Sequence, residues 1–422
     1  MKNIIRLEKC LYSDYKIIYQ FSSNLKIFTA QSFCLEYSSH LPEKIESIVT
    51  IPFVALMAPL GWLTGAEIYV PELDNTYFKS IQTLEAIYKT WYPKWRFNNS
   101  IHAQLKNNNF PTSQPGLLLS LGLDSLTSFI RHQNEKPFLF TAVDISRTKN
   151  NKAYWELYEN KIQDFKNSFG LNGVLIRTDI RHLIDEKKLR WWSGIAQGFC
   201  LTGMTAPFSC HFLKTLYIAS SFSSLAVNRG THWGTTPTTD NLIAWASTQV
   251  SHDNDTFERY EKLKYQFKPH PEIYPYLKVC GSQFQTLNCT YSEKCLRTIL
   301  GLLINNIDPT LCNFPITHQT LKHLKRRLKY DVFCVPPSDW RLWIHIKDNV
   351  DLNTLKDMHG SKEFFQWFKT FSFSNSLLTK AFFRLSWLCT YRYNENWLVD
   401  ALHSWAKHFY SFYAHVVLKF NL

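Results

Sequence analysis

Ser120, Gly122, Asp124 and Ser125 fall within six residues of one another, directly behind the apolar run 116–119. Two hydroxyls, a carboxylate and a glycine at a junction between a strand and a helix are the parts of an anion site. Unpaired backbone N–H groups, the positive end of a helix dipole and hydroxyl donors would face one small volume. Asp124 and Ser125 are also residue types that cap helices, and the residues alone leave both readings open. Farther on, Arg259 and Lys262 flank Glu261 at helical spacing, either as contacts to an anion or as a salt-bridged helix surface. His232 sits in a turn, where it is a site residue or a ring satisfied by backbone. Cys280, Cys289 and Cys295 give the spacing C-x8-C-x5-C, which offers three of the four thiolates that tetrahedral zinc favours. Reduced structural cysteines are the alternative.

Positioning these groups needs a layered scaffold. From 116 to about 225 short apolar runs ("GLLLS", "KPFLFTAVDI", "NGVLIRTDI", "TLYIASS") alternate with stretches of helix length, "NKAYWELYENKIQDFKNSF" and "SGIAQGFCLTGMTAPFSCHFL". This alternation predicts an α/β domain, a parallel sheet covered by helices on both faces. Ligands of such sheets bind beyond the carboxyl ends of the strands, which places the Ser120 turn, Asp144 and Asp179 at one crevice. Residues 1–105 mix β-like runs ("KIIYQF", "AEIYVP") with the helical pattern "NTYFKSIQTLEAIYKTWY" and predict an α+β segment. Residues 106–116 form an Asn- and Pro-rich linker, 117–305 the nucleotide-site domain with the cysteines, and 306–422 a helical, aromatic tail. In that tail Leu321, Leu324 and Leu328 share one helix face beside Lys322, Lys325, Arg326, Arg327 and Lys329.

A net charge of +13 favours anionic partners, although charge by itself does not single out nucleic acid. Residues 47–66 carry no charge, but two prolines and two glycines interrupt them, so a buried core segment is expected rather than a membrane span. The N-terminal residues do not read as a secretory signal, so a cytoplasmic, reducing location is expected for the ten cysteines.

The quartet Ser120, Gly122, Asp124, Ser125 resembles the Ser-Gly-Gly-x-Asp-Ser signature of the PP-loop ATP pyrophosphatases, with Leu121 where the family has its first glycine. The cysteines resemble the zinc site of the 7-cyano-7-deazaguanine synthase branch, with Ser292 at the fourth cysteine position. Trp91-Tyr92-Pro93, Gly230-Thr231-His232, the element His252, Asp253, Asn254, Arg259, Glu261, Lys262, and the run 293–298 resemble further motifs of that branch, with Trp233 in place of a proline and Asn254 in place of a glycine. The likeness spans roughly residues 50–305.

This resemblance implies a five-stranded parallel sheet of the adenine-nucleotide α-hydrolase type. It implies an ATP-dependent ligase or synthase that adenylates a carboxyl, amide or nucleobase-like acceptor, with ATP, Mg²⁺ and Zn²⁺ as cofactors. In its terms Ser120, Gly122 and Ser125 hold pyrophosphate, Asp124 positions Mg²⁺ directly or through water, and Asp124 and Ser125 are the catalytic pair. Asp144 lies near the adenosine, while Arg259, Lys262 and His232 contact phosphate or substrate. Cys280, Cys289 and Cys295 bind the metal. Such synthases also occur in bacterial antiphage operons, which implies a protein partner from the same operon. Leu121 and Ser292 instead favour a catalytically degenerate relative that serves as a binding or assembly subunit. A tRNA-modifying enzyme is the less favoured third option.

Overall fold

The apolar runs marked as strands all enter one sheet. The computed structural model describes residues 2–98, 100–144, 152–184, 191–221, 233–281, 286–330, 335 and 339–373. Its strands are β1 (Ile4–Tyr12), β2 (Lys16–Ser23), β3 (Ser32–Tyr37), β4 (Glu67–Asp74), β5 (Ile101–Lys106), β6 (Gln114–Leu118), β7 (Phe138–Asp144), β8 (Gly173–Thr178), β9 (Leu213–Ala219), β10 (Ala244–Trp245) and β11 (Thr248–Asp253). They lie in the order β10-β11-β9-β6-β7-β8-β3-β2-β1-β4-β5. The α/β class expected from the sequence is therefore present, in a mostly parallel sheet.

The size of the sheet corrects the expectation of five strands. Neighbours β11, β9, β6, β7 and β8 do run parallel. The sheet does not end there, because β3 pairs antiparallel with β8 (Leu35↔Thr178, Tyr37↔Ile176) and carries the N-terminal strands into the same sheet. An uncovered β8 would present a row of unpaired backbone groups, and β3 satisfies them. Arg177 reinforces this seam, with Nη2 2.7 Å from Glu159 and Nη1 3.4 Å from Glu36.

The longer helices are α1 (Ile51–Thr64), α2 (Asn75–Trp91), α3 (Leu123–His132), α4 (Lys152–Phe169), α5 (Glu293–Ile304), α6 (His318–Tyr330), α7 (Trp340–Asp348) and α8 (Ser361–Thr370). Helix α1 is apolar all round, and every residue from Ile51 to Trp62 is buried in the core, as expected of a helix without a polar face. Gly203 permits part of that packing, since a Cβ there would come within 2.7 Å of Ala55 Cβ. Among the described residues no helix is long and apolar enough to cross a membrane. The second run of helix length in the α/β region does not form one helix. It breaks into a π-helical turn, Trp192–Ala196, and short helices Gln197–Gly203 and Ala206–Ser209, with Pro207 at the start of the last.

The chain divides into two compact units, one up to Asn288 and one from Cys289 on. The first holds the sheet. In the second, α6 buries Leu321, Leu324 and Leu328 as their spacing predicts and leaves Lys322, Arg326 and Lys329 exposed. Much of the expected helical tail lies outside the described residues.

Candidate phosphate turn and cysteine cluster

Strand β6 delivers the turn and α3 leaves it. Gly122 is the N-cap residue of α3, and no side chain caps that end, so neither Asp124 nor Ser125 is spent as an N-cap. The Ser120 and Ser125 hydroxyls instead meet across the turn, 3.2 Å apart. The Ser120 N–H donates to Ser125 Oγ (3.2 Å), the Gly122 N–H donates to Ser120 Oγ (3.3 Å), and Ser125 Oγ donates to the Gly122 carbonyl (3.1 Å). Hydroxyls, N–H groups and the start of a ten-residue helix thus share one small volume.

Leu121 adopts φ 56°, the left-handed region, where glycine is the residue of least cost. The backbone therefore has the shape a glycine would give it. The side chain is fully buried. Asn254 repeats the pattern with φ 65°, and asparagine tolerates that region well. Its amide also clamps two elements, donating to Thr127 Oγ1 of α3 (3.0 Å) and to Gln266 Oε1 (2.7 Å).

Arg259 and Lys262 arrive at the turn from more than 130 residues away. Arg259 Nη2 donates to Asp124 Oδ2 at 2.6 Å, and Lys262 Nζ lies 3.4 Å from Asp124 Oδ1. Lys262 also donates to the Ser220 carbonyl just past β9 (2.6 Å), with its side chain only 1% exposed. Glu261 does not pair with either cation in a helix-surface bridge. It accepts from the Glu258 N–H (2.8 Å) in a capping box that starts the short helix Arg259–Glu261. Two cations and one carboxylate leave this cluster with a net positive charge, which suits a phosphate better than a bare divalent cation.

Asp253, at the end of β11, accepts from the Ser128 hydroxyl of α3 and from Arg131 Nε (3.1 Å), and lies 3.2 Å from His132 Nε2. Burial opposes ionisation of Asp253, yet His132, Ser128 and Arg131 outweigh it and hold the carboxyl below its ordinary value. On the other side of the strand, His252 Nδ1 lies 2.8 Å from Asp240 Oδ2, both fully buried, and burial pushes the Asp240 carboxyl up. Asp144 ends β7 with Oδ2 3.5 Å from His182 Nε2, and Asp179 accepts from the Cys34 N–H of β3 (2.9 Å). His232 lies outside the described residues.

Cys280, Cys289 and Cys295 are buried, with their sulfurs all within 4.8 Å of one another, close enough to bind a metal ion. Ser292, which lies between Cys289 and Cys295, has another task. It is the N-cap of α5, its Oγ accepting from the Cys295 N–H (3.4 Å), and the Cys289 thiol donates to the same oxygen (3.4 Å). Cys312 is not part of the sulfur group, and burial pushes its thiol pKa up.

No family model, curated protein or solved structure matches the chain.

Sequence reasoning overlooked Tyr158 and Ser220. Tyr158 Oη donates to the Ser120 carbonyl (3.1 Å), and Ser220 lends its carbonyl to Lys262. The Ser220 contact with Lys262 is made by its backbone carbonyl, which residue type does not reveal.

Proposed function

We propose that the chain is an ATP-dependent ligase or synthase of the PP-loop type. In this reading the Ser120–Ser125 turn takes the pyrophosphate portion of ATP, and the acceptor is a carboxyl, amide or nucleobase-like group. The observation that carries it is the meeting of Arg259 and Lys262 with Asp124 at an uncapped helix start. In the reaction, an acceptor oxygen attacks the α-phosphorus, forming an O–P bond as the bond to the bridging oxygen of pyrophosphate breaks. An amine then displaces AMP. The chain's part is positioning and charge neutralisation: Ser120, Gly122 and Ser125 hold the leaving phosphates, and Arg259 and Lys262 balance the charge that gathers on them. Mg²⁺, when bound, supplies further neutralisation of that charge. Asp124 is the carboxylate that would hold it, directly or through water, and its two oxygens also face Arg259 and Lys262.

Zinc fits the cysteine group in part. A tetrahedral thiolate site at about 2.3 Å per bond sets sulfurs about 3.8 Å apart, which the clustered thiols can reach. They supply three ligands, and a fourth must come from elsewhere.

One observation favours a second reading, a non-catalytic binding or assembly subunit. The Arg259–Asp124–Lys262 group could serve only to fasten α3 to the segment after β11. Calorimetric titration with MgATP separates the two. Asp124→Ala is a poor probe, because it removes the carboxylate that two cations share, and breaking a buried pair costs about 3–5 kcal/mol in stability. The Ser120→Ala/Ser125→Ala double variant keeps the ion pairs. Binding by the native chain that this variant loses supports the enzyme, and an absence of binding by the native chain leaves the second reading.

A further inference from the structure

The turn has a second set of supports, on its strand side, that the signature residues do not include. The Lys278 N–H donates to the Leu121 carbonyl (2.8 Å), fixing the left-handed residue from outside. The Lys278 ammonium lies 4.4 Å from the centroid of the Tyr158 ring and 5.9 Å from that of Tyr154. Tyr158 is the residue whose hydroxyl donates to the Ser120 carbonyl. Backbone, ammonium and ring therefore form one chain of contacts that runs from Leu121 through Lys278 and Tyr158 to Ser120. Arg259 and Lys262 stand on the other limb of the turn, at Asp124 in the first turn of α3.

We propose that Lys278 is a third cation of this turn and binds the phosphates of the leaving pyrophosphate from the strand limb. The inference rests on the reading of the turn as a pyrophosphate site. A lysine has three ammonium donors on a flexible four-carbon stem, so one held beside a ring face can also reach an anion. Pyrophosphate carries more charge than Arg259 and Lys262 can balance while they also face Asp124, so a third cation has a definite task. Tyr158 is the positioning residue, since it touches both the ammonium and Ser120.

The test is calorimetric titration of the full chain with inorganic pyrophosphate, using Lys278→Met, Lys278→Arg and Ser125→Ala. Loss of one charge-assisted contact predicts roughly tenfold weaker binding by Lys278→Met, near-native binding by Lys278→Arg, and a loss by Ser125→Ala. A measurement on the unaltered chain covers the case in which Lys278→Met does not fold. Lys278 acetylation by acetic anhydride, followed by mass spectrometry, should slow several-fold when pyrophosphate is present. If Ser125→Ala weakens binding while Lys278→Met binds like the native chain, or if pyrophosphate leaves Lys278 acetylation unchanged, Lys278 is not a phosphate contact and the turn's assignment stands. If the native chain binds no pyrophosphate, the assignment of the turn falls and this inference with it.

Discussion

Leu121 shows how two opposed energies meet at one residue. Its left-handed backbone costs about 1–2 kcal/mol relative to glycine. Its buried side chain returns more than that, since removing a core leucine costs about 3–5 kcal/mol including the cavity left behind. Leu121→Gly should therefore lower stability by about 2 kcal/mol even though it relieves the backbone, and urea unfolding measures this directly. An increase in stability would mean that the leucine side chain is strained in its pocket. His132 obeys a different balance. Burial works against its protonation, but Asp253 and Glu135 raise its pKa above 6.5. Its contribution is complete below about 6.5 and lost as pH rises through the raised folded value. The Asp253 contribution is present above 3.8 and lost as pH falls through the lowered folded value. Between these limits both groups support the pair, with Arg131 and Tyr217 alongside. His132→Gln should thus destabilise the protein more at pH 5.5 than at pH 9, and equal losses at both would deny the ion pair a role.

At the level of elements, α5 carries a conflict between fold and metal. Ser292, between Cys289 and Cys295, is the position at which a cysteine would add a thiol beside the three sulfurs, and it is also the cap of the helix that bears Cys295. Ser/Thr caps are worth about 1 kcal/mol. Ser292→Cys should accordingly lower the stability of the metal-free protein by about that amount while raising zinc retention during dialysis against a chelator. Zinc content by mass spectrometry and melting of the chelated protein read the two effects separately. Loss of stability with no gain in zinc would show that the three sulfurs are a reduced structural cluster. The same helix start shows what a sequence can and cannot convey. The cysteine spacing was legible, because ligands close in sequence are close in space. The pairing of Asp124 with Arg259 and Lys262 was not, because it depends on β11 lying beside β9, which no local pattern encodes. The left-handed angles at Leu121 and Asn254 were hidden for a related reason, as neither position carries the glycine that would have announced such an angle.

At the scale of the whole chain, the boundary of the sheet is the main lesson. Alternating apolar runs made the α/β class visible, but a strand's neighbours are set by edge pairing, so the extension from five strands to eleven left no local trace. Residues 1–105 supply β1 to β4 and most of β5, and they also supply α1, whose residues Ile51–Trp62 are all buried. Removing that segment would uncover the β8 edge together with the surface on which α1 packs. A parallel sheet with a bare edge and an exposed apolar face is a template for association. The truncated chain 106–422 should therefore be recovered as aggregate, whereas a separate α+β segment joined by a linker would leave a soluble remainder. Size-exclusion chromatography of the two chains expressed side by side distinguishes these outcomes. A monodisperse truncated chain would mean that β3 merely rests on β8, and the continuity of the sheet would then have no energetic meaning.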